Sequence, residues 1–375
     1  MNILHVFRAP VGGLFRHVLD LTREQVARGH RVGLIADLRT GGESADIALR
    51  ELAPSLALGL SRFPMRRHAN PGDLLALAHV MRRIANTRAD IVHGHGAKGG
   101  AYARLAFART SAVRAYTPHG GSLLFGHNSA AGQFYLATER LLMLRGDLFL
   151  FESAYSEQIF RSKIGNPRGL VRVVHNGVSR AEFVPIVAAP DATDLVFMGE
   201  LRPVKGVDVL IDAIARSHRD GRNVTATLVG SGPDRGLLGA QVERLGLSSA
   251  IRFRPAMPAH QALTLGRIMV VPSRAESLPY VVLETAAGGK PLITTHVGGI
   301  PEIFGPLSAR LVPPDDAPAL AQAIAAALDN PAATIETTRK LRDQVAVSFS
   351  VETMVDGVLA GYQAAIEALQ ASGRR

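Results

Sequence analysis

Short apolar runs alternate with longer helix-period segments along the whole chain, and the alternation restarts near residue 190. In the first half, Ile3–Phe7 reads as a strand, followed by a glycine-rich turn and a helix from about Phe15 to Arg28. Arg31–Ala36, Asp90–His93, Val113–Thr117 and Leu148–Glu152 read as further strands, with a small-residue helix from about Gly99 to Thr110. In the second half, Asp194–Gly199, Val224–Val229, Ile251–Arg254, Ile268–Val271 and Pro291–Thr295 read as strands. Gly206–His218 and Asp234–Leu245 read as the helices between them. Alternating strands and helices predict a parallel sheet covered by helices on both faces, an α/β class. Ligands of such sheets lie beyond the carboxyl ends of the strands.

The restart predicts two doubly wound domains, 1–178 and 190–350, facing each other across a cleft. Residues 176–194 are irregular and carry Pro185 and Pro190, so the interdomain linker is placed there. The segment from about Val351 to Leu369 reads as a helix long enough to cross back, joining 351–375 to the first domain.

A chain of 375 residues with 47% hydrophobic and 20% charged content buries a sizeable core, which sets disorder aside. No cysteine is present, so disulfide scaffolds, Cys-ligated zinc, iron–sulfur clusters and thiol nucleophiles drop out together. The start, Met1 to Phe7, lacks the basic region of a signal peptide and reads as a strand. No apolar run is long enough to span a bilayer, so a cytoplasmic protein is expected, soluble or peripherally bound. The net charge of +10 is unevenly held: residues 1–180 carry 24 Lys+Arg against 12 Asp+Glu, and the remainder 18 against 20. A basic half suggests an acidic partner or an anionic surface, or else only a solvated Arg-rich face. Nucleic acid is disfavoured, because aromatics make up 5% and tryptophan is absent.

Several turns carry chemistry. Gly12 and Gly13 open the first helix and let its backbone approach a phosphate, with His17 one turn further on. His93-Gly94-His95 and His119 follow strands. Without a carboxylate cluster they make a poor zinc signature, and no metal is expected. His119, between Pro118 and Gly120, reads better as a hydrogen-bonding group for a polar ligand. Gly199 ends a strand, and Arg202 and Lys205 follow it just before a helix. Two cations beside free N–H groups suit a diphosphate, although exposed basic residues are also common on any surface. Glu276-Ser277-Leu278-Pro279 leads into a helix that starts near Pro279 and carries Glu284. Carboxylates there suit sugar and ribose hydroxyls. They also suit the acid and nucleophile of a glycoside hydrolase, which has no need of a cationic turn.

Taken together, Gly12-Gly13…His17, Thr117-Pro118-His119-Gly120, His175-Asn176-Gly177-Val178, Gly199…Arg202…Lys205-Gly206, Glu276…Glu284 and Gly298-Gly299-Ile300-Pro301-Glu302 resemble glycosyltransferase family 4. These are retaining transferases of the GT-B fold, and the resemblance spans nearly the whole chain. It implies that Arg202 and Lys205 bind the donor diphosphate, with Gly12 and the Gly13 N–H at the same group. It implies that Glu284 holds the ribose and Glu276 the transferred sugar, with Gly199, Ser277 and Leu278 in the donor site. His119 would contact the sugar and help position the reacting centre. His17 and His93 would lie on the acceptor side. Glu276, Arg202, Lys205 and His119 are thus the expected catalytic residues. Ser277 stands where the family often has glycine, and Thr285-Ala286-Ala287 replaces a commoner Ala-Met-Ala, which bears on donor-sugar fit. No Asp-x-Asp motif occurs, so a metal-chelating transferase is not expected and no cofactor is implied. The resemblance implies hexosyl transfer from a nucleotide sugar to a saccharide, often lipid-linked, as in lipopolysaccharide or exopolysaccharide biosynthesis. Arg62-Phe63-Pro64-Met65-Arg66-Arg67-His68 mixes basic and apolar residues as a membrane-surface patch would. A sugar-nucleotide epimerase of the same fold and a silent nucleotide-sugar binding protein are the alternatives.

Overall fold

The structure, a computed structural model, describes residues 1–106, 112–124 and 129–373. The chain divides into two compact units, Met1–Asn176 with Val351–Arg375, and Gly177–Ser350.

The first unit is built on a seven-stranded parallel sheet of β1 (Asn2–Phe7), β2 (Arg31–Asp37), β3 (Gly59–Phe63), β4 (Ile91–His95), β5 (Val113–Thr117), β6 (Leu148–Phe151) and β7 (Leu170–Val173). Its order is β3-β2-β1-β4-β5-β6-β7, so the winding reverses between β1 and β4. Ile3, Leu4, Val6 and Phe7 are fully buried, which is why β1 reads as continuous apolar sequence: helices cover both its faces. The helix Val351–Ala371 supplies part of that cover, packing Met354, Val355, Val358 and Ile366 against Ile3, Leu21, Ile91 and Leu148.

Two of these strands went unread in the sequence. β3 and β7 are edge strands, half-buried or exposed along their length, and carry Arg62 and Arg172 where a central strand would be apolar. β3 also corrects the reading of Arg62–His68. Phe63 stacks on the His79 ring at 4.9 Å. Met65 is buried, and its N–H donates to Asp37 Oδ1 at 2.7 Å. Arg62 pairs with Asp46 at 2.8 Å. The apolar members of that stretch therefore face the protein, leaving Arg66, Arg67 and His68 exposed.

The first helix runs from Gly12 to Ala27, starting at the glycines themselves instead of at Phe15. The small-residue helix runs from Gly96 to Leu105. The predicted extension through Thr110 falls outside the described residues.

The second unit has a five-stranded parallel sheet of β8 (Thr193–Met198), β9 (Ala226–Val229), β10 (Ile251–Arg254), β11 (Gly266–Val271) and β12 (Leu292–Thr294). Its order is β10-β9-β8-β11-β12, reversing between β8 and β11. The helix Val207–Arg219 buries Val207, Leu210, Ile211 and Ile214 at helical spacing against this sheet. Truncating Leu210 to alanine would cost roughly 2–5 kcal/mol. The stretch predicted as a linker is instead pinned to this unit. Ser179 and Glu182 close a capping box, the Ile186 N–H donates to Gly288 O at 2.8 Å, and the Ala189 N–H to Thr264 O at 2.9 Å. Its prolines and small residues mimic a linker, but its backbone groups are satisfied by the second sheet's helices and loops.

Candidate functional site

Each unit gathers its chemistry-bearing residues where its sheet reverses, the place at which an open α/β sheet offers a crevice beyond its strand ends. In the second unit the loops after β8 and β11 meet there. A short 3-10 turn, Pro203–Lys205, separates β8 from the helix beginning at Val207. Gly206 joins them at φ +64°, and a Cβ there would lie 2.0 Å from Pro272 O, so only glycine allows this approach. The approach places Lys205 Nζ 2.6 Å from Glu276 Oε1. Ser273 Oγ donates to the same oxygen at 2.7 Å. Both contacts fall on Oε1, and Oε2 takes part in neither. Gly298, at φ +59°, passes so close that a Cβ would sit 1.8 Å from Glu276 O, which fixes the loop from behind.

Arg274 ties the two loops together. Its guanidinium donates to both carboxylate oxygens of Asp208, at 2.9 and 2.7 Å, and also reaches Asp315 and Pro203 O. Its backbone N–H donates to Val204 O at 2.8 Å. Burial pushes the Asp208 carboxyl up, but the Arg274 guanidinium and nearby backbone N–H groups together hold it below its ordinary value. The same carboxylates raise the guanidinium further above its own.

Arg202 caps the 3-10 turn and pairs with Glu200 at 3.3 Å, both half-exposed or more. Gly199 follows β8, its N–H donating to Val229 O at 3.0 Å. Ser277 O accepts from the Gly299 N–H at 2.7 Å, Leu278 is buried, and Glu284 is half-buried on the helix Tyr280–Ala287.

In the first unit, Gly12 and Gly13 are exposed at a helix N-terminus whose N-cap, Val11, offers no side-chain hydrogen bond. Beneath it lies a cluster of five histidines. Neighbouring strands set His5 opposite His93, and β1 and the helix Gly12–Ala27 bring His5, His17 and Gln25 inward. His5 Nε2 lies 2.8 Å from Gln25 Oε1, and His5 Nδ1 lies 2.9 Å from His95 Nε2. His95 Nδ1 lies 3.1 Å from His119 Nε2. His17 Nδ1 contacts Asn176 Oδ1 at 3.0 Å, while its Nε2 is buried with no partner among the described residues. His119 holds φ +50°, a left-handed conformation costly for any residue with a Cβ, and is half-buried.

Burial brings the His5 and His17 imidazoles down to about 4, against the pull of one hydrogen bond each. His93, His95 and His119 are held well below their ordinary value, first by burial and then by the neighbouring rings. All five are neutral at pH 7. Two triples, His5/His93/His95 and His17/His95/His119, bring one ring nitrogen per residue within 4.8 Å of one another, the kind of spacing a metal ion could use. The sequence reading, which expected no metal, saw only three strand-end histidines and did not foresee this gathering.

His93 is not on an acceptor-facing surface as expected. It is fully buried, with Nδ1 2.7 Å from Tyr362 OH and Nε2 2.8 Å from Thr117 Oγ1, so both nitrogens are used inside the unit. His17 is also buried, at 2% exposure, but keeps one nitrogen unused. Gln25, His5 and Arg274 were missed. The signal for His5 was available, because a histidine on β1 faces β4 once the sheet order is known. Arg274 and Gln25 carry no motif and emerge only from packing.

Residues 11–182 match the family described as Glycosyltransferase Family 4, and residues 192–330 match that described as Glycosyl transferases group 1. The chain is 27% identical to a glycogen synthase of Mycobacterium tuberculosis over 95% of its own length and 92% of the relative's. It is 28% identical to a D-inositol 3-phosphate glycosyltransferase of Geodermatophilus obscurus, over 97% and 87%. The crystal structure of Anabaena Alr3699/HepE in complex with UDP shares its fold at a TM-score of 0.79 and 20% identity, covering 97% of this chain and all of that one.

Proposed function

We propose that the chain is a glycosyltransferase of the family-4 type and, more finely, a retaining, metal-independent hexosyltransferase using a nucleoside-diphosphate sugar. The observation that carries the reading is the Lys205–Glu276 pair at the β8/β11 reversal, a cation and a carboxylate fixed side by side. A diphosphate needs the cation and a sugar's hydroxyls need the carboxylate. Lys205 keeps N–H groups beyond the one given to Glu276, and Arg202 adds a planar pair of donors once Glu200 yields.

In the proposed reaction the bond from the sugar's anomeric carbon to the diphosphate oxygen breaks. The acceptor's hydroxyl oxygen bonds to that carbon on the same face, and the leaving phosphate takes the hydroxyl proton. Negative charge grows on the phosphate as the bond breaks, and Lys205 and Arg202 are the groups assigned to meet it. Preorganised donors of this kind are worth roughly 3–4 kcal/mol each. Glu276 and Glu284 hold the sugar and the ribose, and His119 contacts the sugar.

The Anabaena structure holds UDP, so UDP-sugars are the first donors to try, followed by GDP- and ADP-sugars. Incubation in chelator with a saccharide acceptor, read by NMR of the product's anomeric carbon, tests the reading. Retained configuration supports it. Inversion, turnover only with added metal, or epimerised donor without transfer would each overturn it.

We further propose that the acceptor is lipid-linked and met at the cytoplasmic membrane face, in envelope polysaccharide or lipopolysaccharide assembly. No helix among the described residues is long and apolar enough to cross a membrane. The surface that supports peripheral binding keeps the basic end of the stretch read in the sequence and replaces its apolar members. Arg66 and Arg67 are exposed, and so are Leu74, Leu75 and Phe134. His68 Nδ1 reaches Tyr135 OH at 3.3 Å, joining the two groups. Sedimentation with vesicles containing anionic lipid at low salt should carry the protein down, and Leu74→Ser with Leu75→Ser should release it. Wild-type protein left in the supernatant would refute the idea.

A further inference from the structure

We propose that Gln25, His5 and His95 are positioning residues that hold His119 in a single tautomer, so that its Nδ1 meets the substrate as a hydrogen-bond acceptor. The inference rests on the sugar-site reading of His119 given above, and it adds a device behind that residue.

A neutral imidazole has one N–H and one lone pair, so fixing one nitrogen fixes the other. Gln25 Oε1 has no hydrogen and can only accept, so His5 Nε2 is the donor across their 2.8 Å contact. His5 Nδ1 is then a lone pair and accepts from His95 Nε2–H at 2.9 Å. His95 Nδ1 is in turn a lone pair and accepts from His119 Nε2–H at 3.1 Å. His119 Nδ1, across the ring from that bond, is left as an acceptor. One buried amide oxygen therefore sets the polarity of three rings in series. Burial supports the scheme by keeping each ring neutral at pH 7.

An independent contact gives His17 the matching polarity. Asn176 Oδ1 accepts from His17 Nδ1–H at 3.0 Å, so the buried, unpartnered Nε2 also carries a lone pair. The His17 and His119 rings meet edge to face at 4.7 Å. His17 Nε2 is buried, so the acceptor left for the substrate is His119 Nδ1, which calls for a hydroxyl group because a hydroxyl brings the hydrogen.

Histidine-selective 15N labelling of the full-length protein, with two-bond 1H–15N correlation at pH 7.5, reads each tautomer directly. The expected wild-type spectrum shows His119 with a protonated Nε2 and an unprotonated Nδ1. Gln25→Met removes the acceptor at similar volume and should mix the His5 and His119 tautomers. Its donor KM should rise roughly threefold to tenfold, the loss of about one neutral hydrogen bond, with a smaller change in kcat. Gln25→Glu restores an acceptor and should restore the wild-type tautomers. A wild-type His119 protonated at Nδ1, or tautomers unchanged in Gln25→Met, would overturn the proposal. So would a stoichiometric zinc ion surviving dialysis, since the triple would then be a metal centre. The wild-type spectrum decides even if a variant fails to fold. It is independent of turnover, so a correct tautomer in a protein that transfers no sugar would count against the transferase reading alone.

Discussion

Acidification should unfold the first unit long before the second. His5 and His17 take up a proton near pH 6.5 in an unfolded chain but only near pH 4 when folded, because burial penalises the charged ring. Between those limits the unfolded state holds more protons. Stability is therefore complete above about pH 6.5 and falls as the pH drops toward 4. At pH 5 each residue forfeits about 2 kcal/mol, so the pair forfeits about 4 kcal/mol. His93, His95 and His119 are shifted the same way and add to the loss. With a urea slope of about 2 kcal/mol/M for a domain of this size, the midpoint should fall by roughly 2 M between pH 7.5 and pH 5.

The chain offers a convenient probe. It has no tryptophan and six tyrosines, and only Tyr280 lies in the second unit. Tyrosine fluorescence thus follows the first unit, and peptide-resolved hydrogen exchange reads both. Among the described residues, none of the fully buried histidines belongs to Gly177–Ser350, so that unit's midpoint should move little over the same range. A first-unit midpoint at pH 5 within about 0.3 M of its value at pH 7.5 would refute the reasoning, as would an equal fall in both units.

Lys205→Ala and Glu276→Gln should each lower kcat by roughly 10²–10³, measured as nucleoside diphosphate release with acceptor present. If both variants kept full activity, the roles assigned to this pair would be wrong. Arg274→Ala should leave the second unit folded but cut kcat/KM about tenfold to a hundredfold, because Lys205 and Glu276 lose the guanidinium that ties their loops together. Unchanged kinetics would show that the loops hold their places without it. Gly206→Ala combines a left-handed backbone, costing roughly 1–2 kcal/mol, with a clash on Pro272 O. The second unit's Tm should fall by more than about 4 °C while the first unit's stays put.

What the sequence made legible follows from where its information is local. Central strands buried on both faces, such as β1 and β8, declare themselves as apolar runs, and the glycine-bearing turns after them stand out as clearly. Edge strands are different. β3 and β7 must present polar side chains to water, so Arg62 and Arg172 hide them in the pattern, and the misread of Arg62–His68 as a surface stretch followed directly. The segment 177–192 failed for a related reason: proline and small residues signal irregular backbone, but not whether that backbone is free or bonded to a neighbouring sheet.

The histidine cluster shows the limit most clearly. His5 looks like an ordinary strand residue, Gln25 an ordinary helical one, and His93 an acceptor-side group. Only the order β1-β4 at the reversal makes them neighbours. Once adjacent, they cannot each be judged alone, because a buried neutral imidazole inherits its polarity from the group behind it. His119 was singled out in the sequence by its place between Pro118 and Gly120. The tautomer proposed for it depends on an amide 94 positions earlier in the chain, a contact that only the fold makes.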